Sequence, residues 1–229
     1  MENNKTGMVA LKLDATVAQA LGDRSVQGFN RAYILAHAID QISQILTPEY
    51  MKPIMKLQGN RLGFRTDKDQ NGGYPEAVVK NCLIEAVLTG VQPVGNHFNI
   101  IASNSYITKE GFGYLLDNIQ GLGWSIIPGI PNMKGESALI KMTVKWRMNG
   151  GPQREQELDV AVKVNKFMGV DAVIGKATRK SRAWLHQTVT GMEIGEGDVE
   201  EAVVLDPTED KKAELRTANG EGQAKIDLP

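Results

Sequence analysis

SALIKMTVKWRMNGGPQREQELDVAVKV, residues 137–164, is the stretch of sequence that decides the fold. Apolar side chains occupy every second position before and after its glycine pair, which indicates two β-strands that each bury one face. The central Asn-Gly-Gly is typical of a turn between antiparallel strands. The segment therefore predicts a β-hairpin whose buried face holds Ile140, Met142, Val144 and Trp146 on the first strand and Leu158, Val160, Val162 and Val164 on the second.

The register of this hairpin follows from matching the two apolar faces. They coincide only where paired residue numbers sum to an even value, such as Met142 with Val160 and Val144 with Leu158. An even sum leaves an odd number of residues in the loop. We therefore predict a three-residue turn containing glycine, or a bulge, rather than a two-residue turn.

The outer face of the hairpin carries the cations Lys141, Lys145 and Arg147. The predicted register places Lys145 opposite Glu157 and Arg147 opposite Glu155, and exposed cross-strand pairs of this kind contribute up to ~1 kcal/mol each. Pairing across the strands and contact with nucleic acid both stay open for these cations.

Helical periodicity precedes the hairpin. Residues 29–46 predict an amphipathic helix, and residues 48–57 a second one. Residues 75–89 begin with proline and end before Gly90, and their apolar side chains cover two sides, so they predict a buried central helix in which Cys82 belongs to the core. The predicted inward face of the first helix comprises Ala32, Ala36, Ile39, Ile42 and Leu46.

Shorter elements lie between the central helix and the hairpin. HFNIIAS (97–103), SYIT (105–108) and GWSIIPGI (123–130) have the composition of strands, and residues 109–119 predict a short helix. The whole pattern predicts an α+β fold: a compact single domain with a central buried helix, an antiparallel hairpin or meander and a closing basic helix, followed by an acidic disordered tail.

The composition is that of a soluble globular protein, since 41% of the 229 residues are apolar and 23% are charged. No apolar run approaches the roughly 20 residues that span a bilayer, and the first residues lack the apolar core of a secretory signal. We therefore expect a cytoplasmic protein without a membrane partner. The single Cys82 excludes an intramolecular disulfide, and the three histidines lack zinc-ligand spacing, so we expect no metal and no cofactor.

Charge is divided unevenly along the chain. Residues 1–192 contain 22 Lys and Arg against 16 Asp and Glu, a net charge of +6, whereas residues 193–229 contain 4 against 11, a net charge of −7. A basic body attracts phosphate, and an acidic tail can compete for the same surface or only improve solubility. We predict an N-terminal segment at 1–28 that contacts a neighbouring subunit, a core domain at 29–191, and an acidic, disordered tail at 192–229.

The segment GKATRKSRAWLHQTVTG at 175–191 resembles a phosphate-binding loop at first sight. The Walker pattern needs four residues between its glycines and a Ser or Thr after the lysine. Here five residues separate Gly169 from Gly175, and Ala177 follows Lys176. The match fails at both points, and no Ser-His-Asp, HExxH or paired-carboxylate motif appears elsewhere. We therefore expect no catalytic residues.

A helix from about Lys176 to Val189 is the better interpretation of this segment. On a helical wheel Leu185 and Val189 face inward, while a cationic strip with Trp184 beside it faces outward. Repeated cations suit phosphates, and an aromatic side chain suits exposed bases. A solvated face with a buried tryptophan is the alternative. The predicted outward strip comprises Lys176, Arg179 and Lys180.

Several segments in a fixed order resemble one protein family. They are AVVKNCLIEAVLTGVQPVGN (77–96), FNIIASNSYITKEGF (98–112), the hairpin with NGG, and the closing GKATRKSRAWLHQTV (175–189). In this order they resemble the RecT/Redβ single-strand annealing proteins of phages and prophages, over roughly residues 45–190.

The resemblance implies a domain that forms rings or helical filaments on DNA, binds single strands in a basic groove, and holds the annealed duplex intermediate without ATP. By position, it implies that Lys176 and Arg182 contact DNA phosphate. Where the family frequently has G-Y-R-G, this chain has KEGF, so Lys109 is the candidate for the role of the missing arginine. A companion exonuclease or a host single-strand-binding protein is the expected partner of the acidic tail.

A protein that coats single strands without annealing them is the main alternative. It would use aromatic side chains as platforms on which bases stack. The candidates for such stacking are Phe112, Tyr114 and Trp184.

Two further alternatives stay open. A nuclease would need carboxylates that bind magnesium, and the candidates are Glu157, Asp159 and Asp171. A structural phage protein would form oligomers without contacting DNA.

Overall fold

The computed structural model describes residues 2–22, 28–165 and 168–195, with side chains described from Gly7 onward. Helices pack against antiparallel strands, which confirms the predicted α+β class. The predicted acidic tail lies outside the described residues except for 192–195. The elements in chain order are α1 (Glu2–Gly22), α2 (Gly28–Ile45), α3 (Pro48–Ile54), α4 (Glu76–Thr89), β1 (Phe98–Ile101), β2 (Asn104–Ile107), α5 (Lys109–Asp117), β3 (Leu122–Pro128), β4 (Asn132–Lys134), β5 (Ser137–Met148), β6 (Arg154–Lys163) and α6 (Val170–Thr190).

Strand β5 is the centre of the larger sheet. It pairs with β6 along one side and with β3 and then β4 along the other, always antiparallel. Side chains of β5 alternate between the two faces as the sequence predicts. The buried face of β5 comprises Ala138, Ile140, Met142, Val144 and Trp146, and that of β6 comprises Val160 and Val162.

The hairpin register has the predicted even sum but is shifted by two residues. Met142 pairs with Leu158, not with Val160. The loop between β5 and β6 causes this shift. Asn149 and Gly150 have positive φ angles of 50° and 70°. The Gly151 N–H donates to the Met148 carbonyl at 2.8 Å and closes a two-residue turn. With this turn alone, the numbers of paired residues on β5 and β6 would sum to an odd value. One extra residue before β6 forms a bulge, and the bulge restores the even sum.

Helix α6 begins earlier than predicted, at Val170 instead of near Lys176. Its first turns are helical because Val173 and Ala177 pack into the apolar face of the sheet, where both are fully buried. The bounding glycines are therefore Gly169 and Gly191, and Gly191 closes the helix with a left-handed φ of 71°. Gly175 lies inside the helix.

Helix α4 is buried and central, as predicted. It packs against α1, α2, α3 and the β1–β2 pair, and its sulfur-containing side chain, Cys82, is 1% exposed. The core around it contains Phe64, Phe98 and Phe112, each at most 1% exposed. Burial of large aromatic side chains from three segments holds the helical half of the domain together.

The N-terminal helices differ from the prediction in two respects. Helix α1 has no counterpart in the sequence-based prediction. The predicted inward face of α2 is confirmed only in part: Ile42 and Leu46 are buried, but Ala32, Ala36 and Ile39 are exposed, and Ala38 is buried instead. No helix in the described ranges is both long and apolar enough to cross a membrane.

Candidate nucleic-acid interface

The cations of α6 lie in different surroundings, because both flanks of this helix are covered. One flank packs against β3, β5 and β6, and another packs against α5. A wheel with a single inward face, as the sequence suggested, does not describe a helix between two layers. The predicted cationic strip is therefore divided.

Arg179 is buried, which corrects its prediction as a DNA-contacting residue. It is 5% exposed, its Nε donates to the Ile107 carbonyl at 2.7 Å, and its guanidinium carbon lies 3.8 Å from the centre of the Tyr106 ring. A cation buried in this way joins α6 to β2 by a charge-assisted hydrogen bond and a cation–π contact. Arg179 stabilises the fold and does not face a ligand.

Arg182 lies one turn further along, at the edge of the same packed flank. Its Nη1 donates to the Lys109 carbonyl, and its guanidinium carbon lies 5.3 Å from the centre of the Trp124 ring. Gly113 faces it closely, since a β-carbon at that position would lie 2.8 Å from Nη1. Arg182 is partly exposed, and it makes no ion pair with a carboxylate of the described residues.

Lys109 is the first residue of α5, and its side chain is 48% exposed. A cation at a helix N-terminus opposes the helix dipole at a cost of about 0.3–1 kcal/mol, so helix stability does not explain it. Its ammonium lies 3.7 Å from a Glu110 carboxylate oxygen, and a β-carbon at Gly175 would lie 3.7 Å from the same ammonium. Lys109 therefore lies beside the turn of α6 that carries Lys176.

These contacts define the α5–α6 junction, which comprises Lys109, Lys176, Arg182 and Trp124. Lys176 is partly exposed. Trp124 is partly exposed too, and its indole N–H donates to Asp117 at 2.9 Å, which fixes the ring beside Arg182. The junction offers cations for phosphate and an aromatic ring next to them. Trp124 was not predicted from the sequence, because the alternating pattern of its strand gives no sign that the ring meets α6.

Lys180 lies outside the junction. It is partly exposed, and its ammonium donates to the Ala161 carbonyl on β6 at 3.0 Å. This contact ties α6 to the strand at the edge of the sheet.

The aromatic candidates for base stacking are engaged inside the protein. Phe112 is 1% exposed, so its prediction as a DNA-contacting residue is wrong: the ring lies in the core. Trp184 packs edge-on against Trp146 with ring centres 5.7 Å apart. The Tyr114 hydroxyl accepts a hydrogen bond from Gln92 at 2.7 Å. Phe112 cannot stack on a base in this structure, and Trp184 and Tyr114 are partly used in packing.

The hairpin cations are on the outer face, as predicted, but two of them pair across the strands. The Lys145 ammonium lies 3.0 Å from Glu155, and the Lys141 ammonium lies 3.1 Å from Glu157, whose carboxylate raises the pKa of Lys141. The predicted oppositions of Lys145 to Glu157 and of Arg147 to Glu155 are both wrong, because the shifted register places Lys145 opposite Glu155. Arg147 lies opposite Gly123.

Burial shifts the pKa values of Cys82 and His97, two titratable groups near the core. Burial raises the pKa of the Cys82 thiol to about 11, so at neutral pH it is protonated. Burial lowers the pKa of His97, which favours the neutral imidazole and removes it as a source of positive charge. Within the described ranges, no group of three or more acidic, histidine or cysteine side chains could hold a metal ion.

Comparisons with family models, with curated proteins and with solved structures found no match to this chain.

Replacing Arg179 with alanine is expected to lower stability more than DNA affinity. The change removes a charge-assisted hydrogen bond that contributes about 1.5–3 kcal/mol and a desolvated cation–π contact that contributes about 2 kcal/mol. We expect the free energy of unfolding in urea to fall by about 3–5 kcal/mol, while Lys176→Ala, a matched loss of charge on the same helix, changes it by less than about 0.5 kcal/mol. An Arg179→Ala protein with unchanged stability and weakened DNA binding would return Arg179 to the DNA surface.

Proposed function

We propose that the protein binds single-stranded DNA and anneals complementary strands without ATP, as an oligomer that holds the nascent duplex. The proposal is supported by the resemblance of residues 45–190 to the RecT/Redβ annealing proteins and by the α5–α6 junction. Beside the cations that the resemblance points to, Lys109, Lys176 and Arg182, the junction contains the ring of Trp124.

The positive charge of Arg182, which no carboxylate of the described residues neutralises, is the observation that carries the proposal. The Nε of this residue is buried and bonds no atom of the described residues. Nε itself is closed to a ligand, but Arg182 as a whole is partly exposed, so a phosphate can approach the charge of its guanidinium from solvent. A DNA phosphate at the junction would supply negative charge to Arg182 and Lys109, and a base could stack on the exposed part of Trp124.

Annealing needs positioning and no bond-making step. Two polyanions repel each other, and cations that neutralise phosphate remove much of this barrier. Pairing itself then supplies the free energy, on the order of 1.4 kcal/mol for each stacked step. The position of Gly175 inside α6 agrees with this account, because a helical glycine cannot form the loop that cradles a nucleotide phosphate.

The acidic segment 193–229, with its net charge of −7, is the proposed docking site for a companion exonuclease or a host single-strand-binding protein. It also has the charge to compete with DNA for the junction.

The salt dependence of binding tests the proposed contact surface. Each phosphate contact to a single strand contributes about 0.7 to the slope of log affinity against log salt concentration, so the variant Lys176→Ala with Arg182→Ala should lower the slope by about 1.4. Fluorescence anisotropy of a labelled oligonucleotide at several salt concentrations measures the slope.

The matched control is Lys141→Ala with Lys145→Ala, which removes the same charge from the outer face of the sheet. We expect its slope to equal that of the wild type. Equal losses in the two double variants would show that net charge, not the junction, sets the affinity.

A time course of pairing between complementary oligonucleotides separates annealing from coating. Dye and quencher on the two strands report duplex formation. An annealing protein shortens the half-time of pairing compared with the strands alone, and a protein that only coats single strands lengthens it. Lengthening would remove annealing from the proposal and leave DNA binding.

A further inference from the structure

The carboxylate of Asp117 lies at the edge of the Trp124 ring in the α5–α6 junction. Asp117 is the last residue of α5, and its Oδ1 accepts a hydrogen bond from the indole N–H of Trp124 at 2.9 Å. An indole N–H lies in the plane of its ring, and its hydrogen bonds prefer to be nearly straight, so Oδ1 lies close to that plane. The Arg182 guanidinium lies over the ring, 5.3 Å from its centre. The ring therefore has a cation over it and a carboxylate at its edge.

The stability of α5 does not explain a carboxylate at this position. The C-terminus of a helix carries partial negative charge on its last carbonyls, so an anion there is unfavourable. Helix α5 thus carries a charge of the unfavourable sign at its first residue, Lys109, and again at its last residue, Asp117. The first belongs to the junction, and the second contacts a ring of the junction.

The indole N–H does not need a carboxylate either. Its hydrogen bond to Asp117 is exposed to solvent, so water could satisfy the same donor. A protein acceptor adds a fixed orientation of the ring, because both partners belong to regular elements, α5 and β3. We infer that Asp117 is a positioning residue for Trp124.

Only one of the two oxygens of Asp117 is used in this way. Its Oδ2 accepts no hydrogen bond from the described residues, and its charge forms no ion pair with their cations. An ionised carboxylate accepts hydrogen bonds and donates none. Asp117 is exposed, so Oδ2 is open to a donor that arrives from solvent at the edge of the ring.

We propose that Asp117 selects bases that carry an amino group when a base stacks on Trp124. This inference rests on the proposed function and deepens it, because it names the bases that the junction prefers. Cytosine and adenine present an N4 and an N6 amino group as donors, and an acidic side chain accepts well from cytosine N4. Thymine presents the O4 acceptor at the corresponding position, and a carboxylate repels it.

This contact is compatible with annealing. The amino group of cytosine or adenine has two N–H bonds, and Watson–Crick pairing uses one of them. The other points to the major-groove edge, where proteins read it in a paired base. Asp117 can therefore hold the base while the complementary strand pairs with it.

The variant Asp117→Asn tests the selection with little change of shape. Its amide oxygen still accepts from the indole N–H, and its amide NH₂ replaces Oδ2, so a donor stands where the acceptor was. The matched control is Asp14→Asn, which removes the same charge from an exposed residue of α1. Fluorescence anisotropy measures the affinity of each protein for labelled oligo-dC and oligo-dT of equal length, at slightly alkaline pH so that oligo-dC stays unfolded.

We expect the wild type and Asp14→Asn to bind oligo-dC about three- to tenfold more tightly than oligo-dT, which is the usual effect of one hydrogen bond. In Asp117→Asn this ratio should fall to one or below, although the loss of negative charge raises both affinities. A wild type with equal affinities for the two strands overturns the proposal. So does a preference for oligo-dC that survives in Asp117→Asn.

Tryptophan fluorescence tests the positioning of the ring. A base stacked on Trp124 should quench it, and Trp124→Phe, which keeps an aromatic ring without the N–H donor, should lose both this quenching and most of the preference for oligo-dC. Quenching of wild-type size in Trp124→Phe would show that bases do not stack on Trp124, against the proposal.

Folding and the proposed function are checked on the same proteins. The thermal midpoints of the variants should match that of the wild type, and Asp117→Ser, which also lacks the carboxylate, replaces Asp117→Asn if that variant unfolds. A protein that binds neither strand refutes the proposed function and this inference together. Binding without any preference refutes only the selection by Asp117 and leaves the proposed function standing.

Discussion

The packing of α6 between two layers is the constraint on which the rest of the structure depends. The sheet buries Val173, Ala177 and Leu185 on one flank, and α5 covers the other, where Arg179 also contacts β2. This packing leaves little of the helix surface for a ligand. It selects which cations of a basic segment stabilise the fold and which meet solvent: Arg179 becomes part of the interior, and Arg182 stays at the boundary.

Local pattern was enough to predict most of the fold. Apolar and polar residues alternate strictly along β5, which predicts a strand with one buried face. Apolar residues cover two sides of α4, which predicts a buried helix. The structure confirms both predictions. The face of α2 was predicted only in part: Ile42 is buried as expected, but Ala32 and Ile39 are as apolar as the buried Ala38, and only tertiary packing decides which of these side chains meets the core. Helix α1 was missed for a similar reason, since its apolar residues do not form one dominant stripe.

The candidate site was only partly predictable. Lys109, Lys176 and Arg182 were identified, and the structure places Lys109 beside both the Arg182 anchor and the first turns of α6. The burial of Arg179 depends on Tyr106 and on the Ile107 carbonyl, 72 residues away in the chain, and no helical wheel contains that information. Long-range contacts of this kind decide whether a cation serves the fold or the ligand.

The position of the Arg182 guanidinium is the central claim, and Gly113→Ala tests it without changing any charge. A methyl group there would lie 2.8 Å from Nη1, so the guanidinium has to move away from Trp124 and Lys109. Oligonucleotide affinity should fall as far in Gly113→Ala as in Arg182→Ala, and the double variant should show no further loss, while the thermal midpoint stays unchanged. Wild-type affinity in Gly113→Ala, or losses that add in the double variant, would contradict the account.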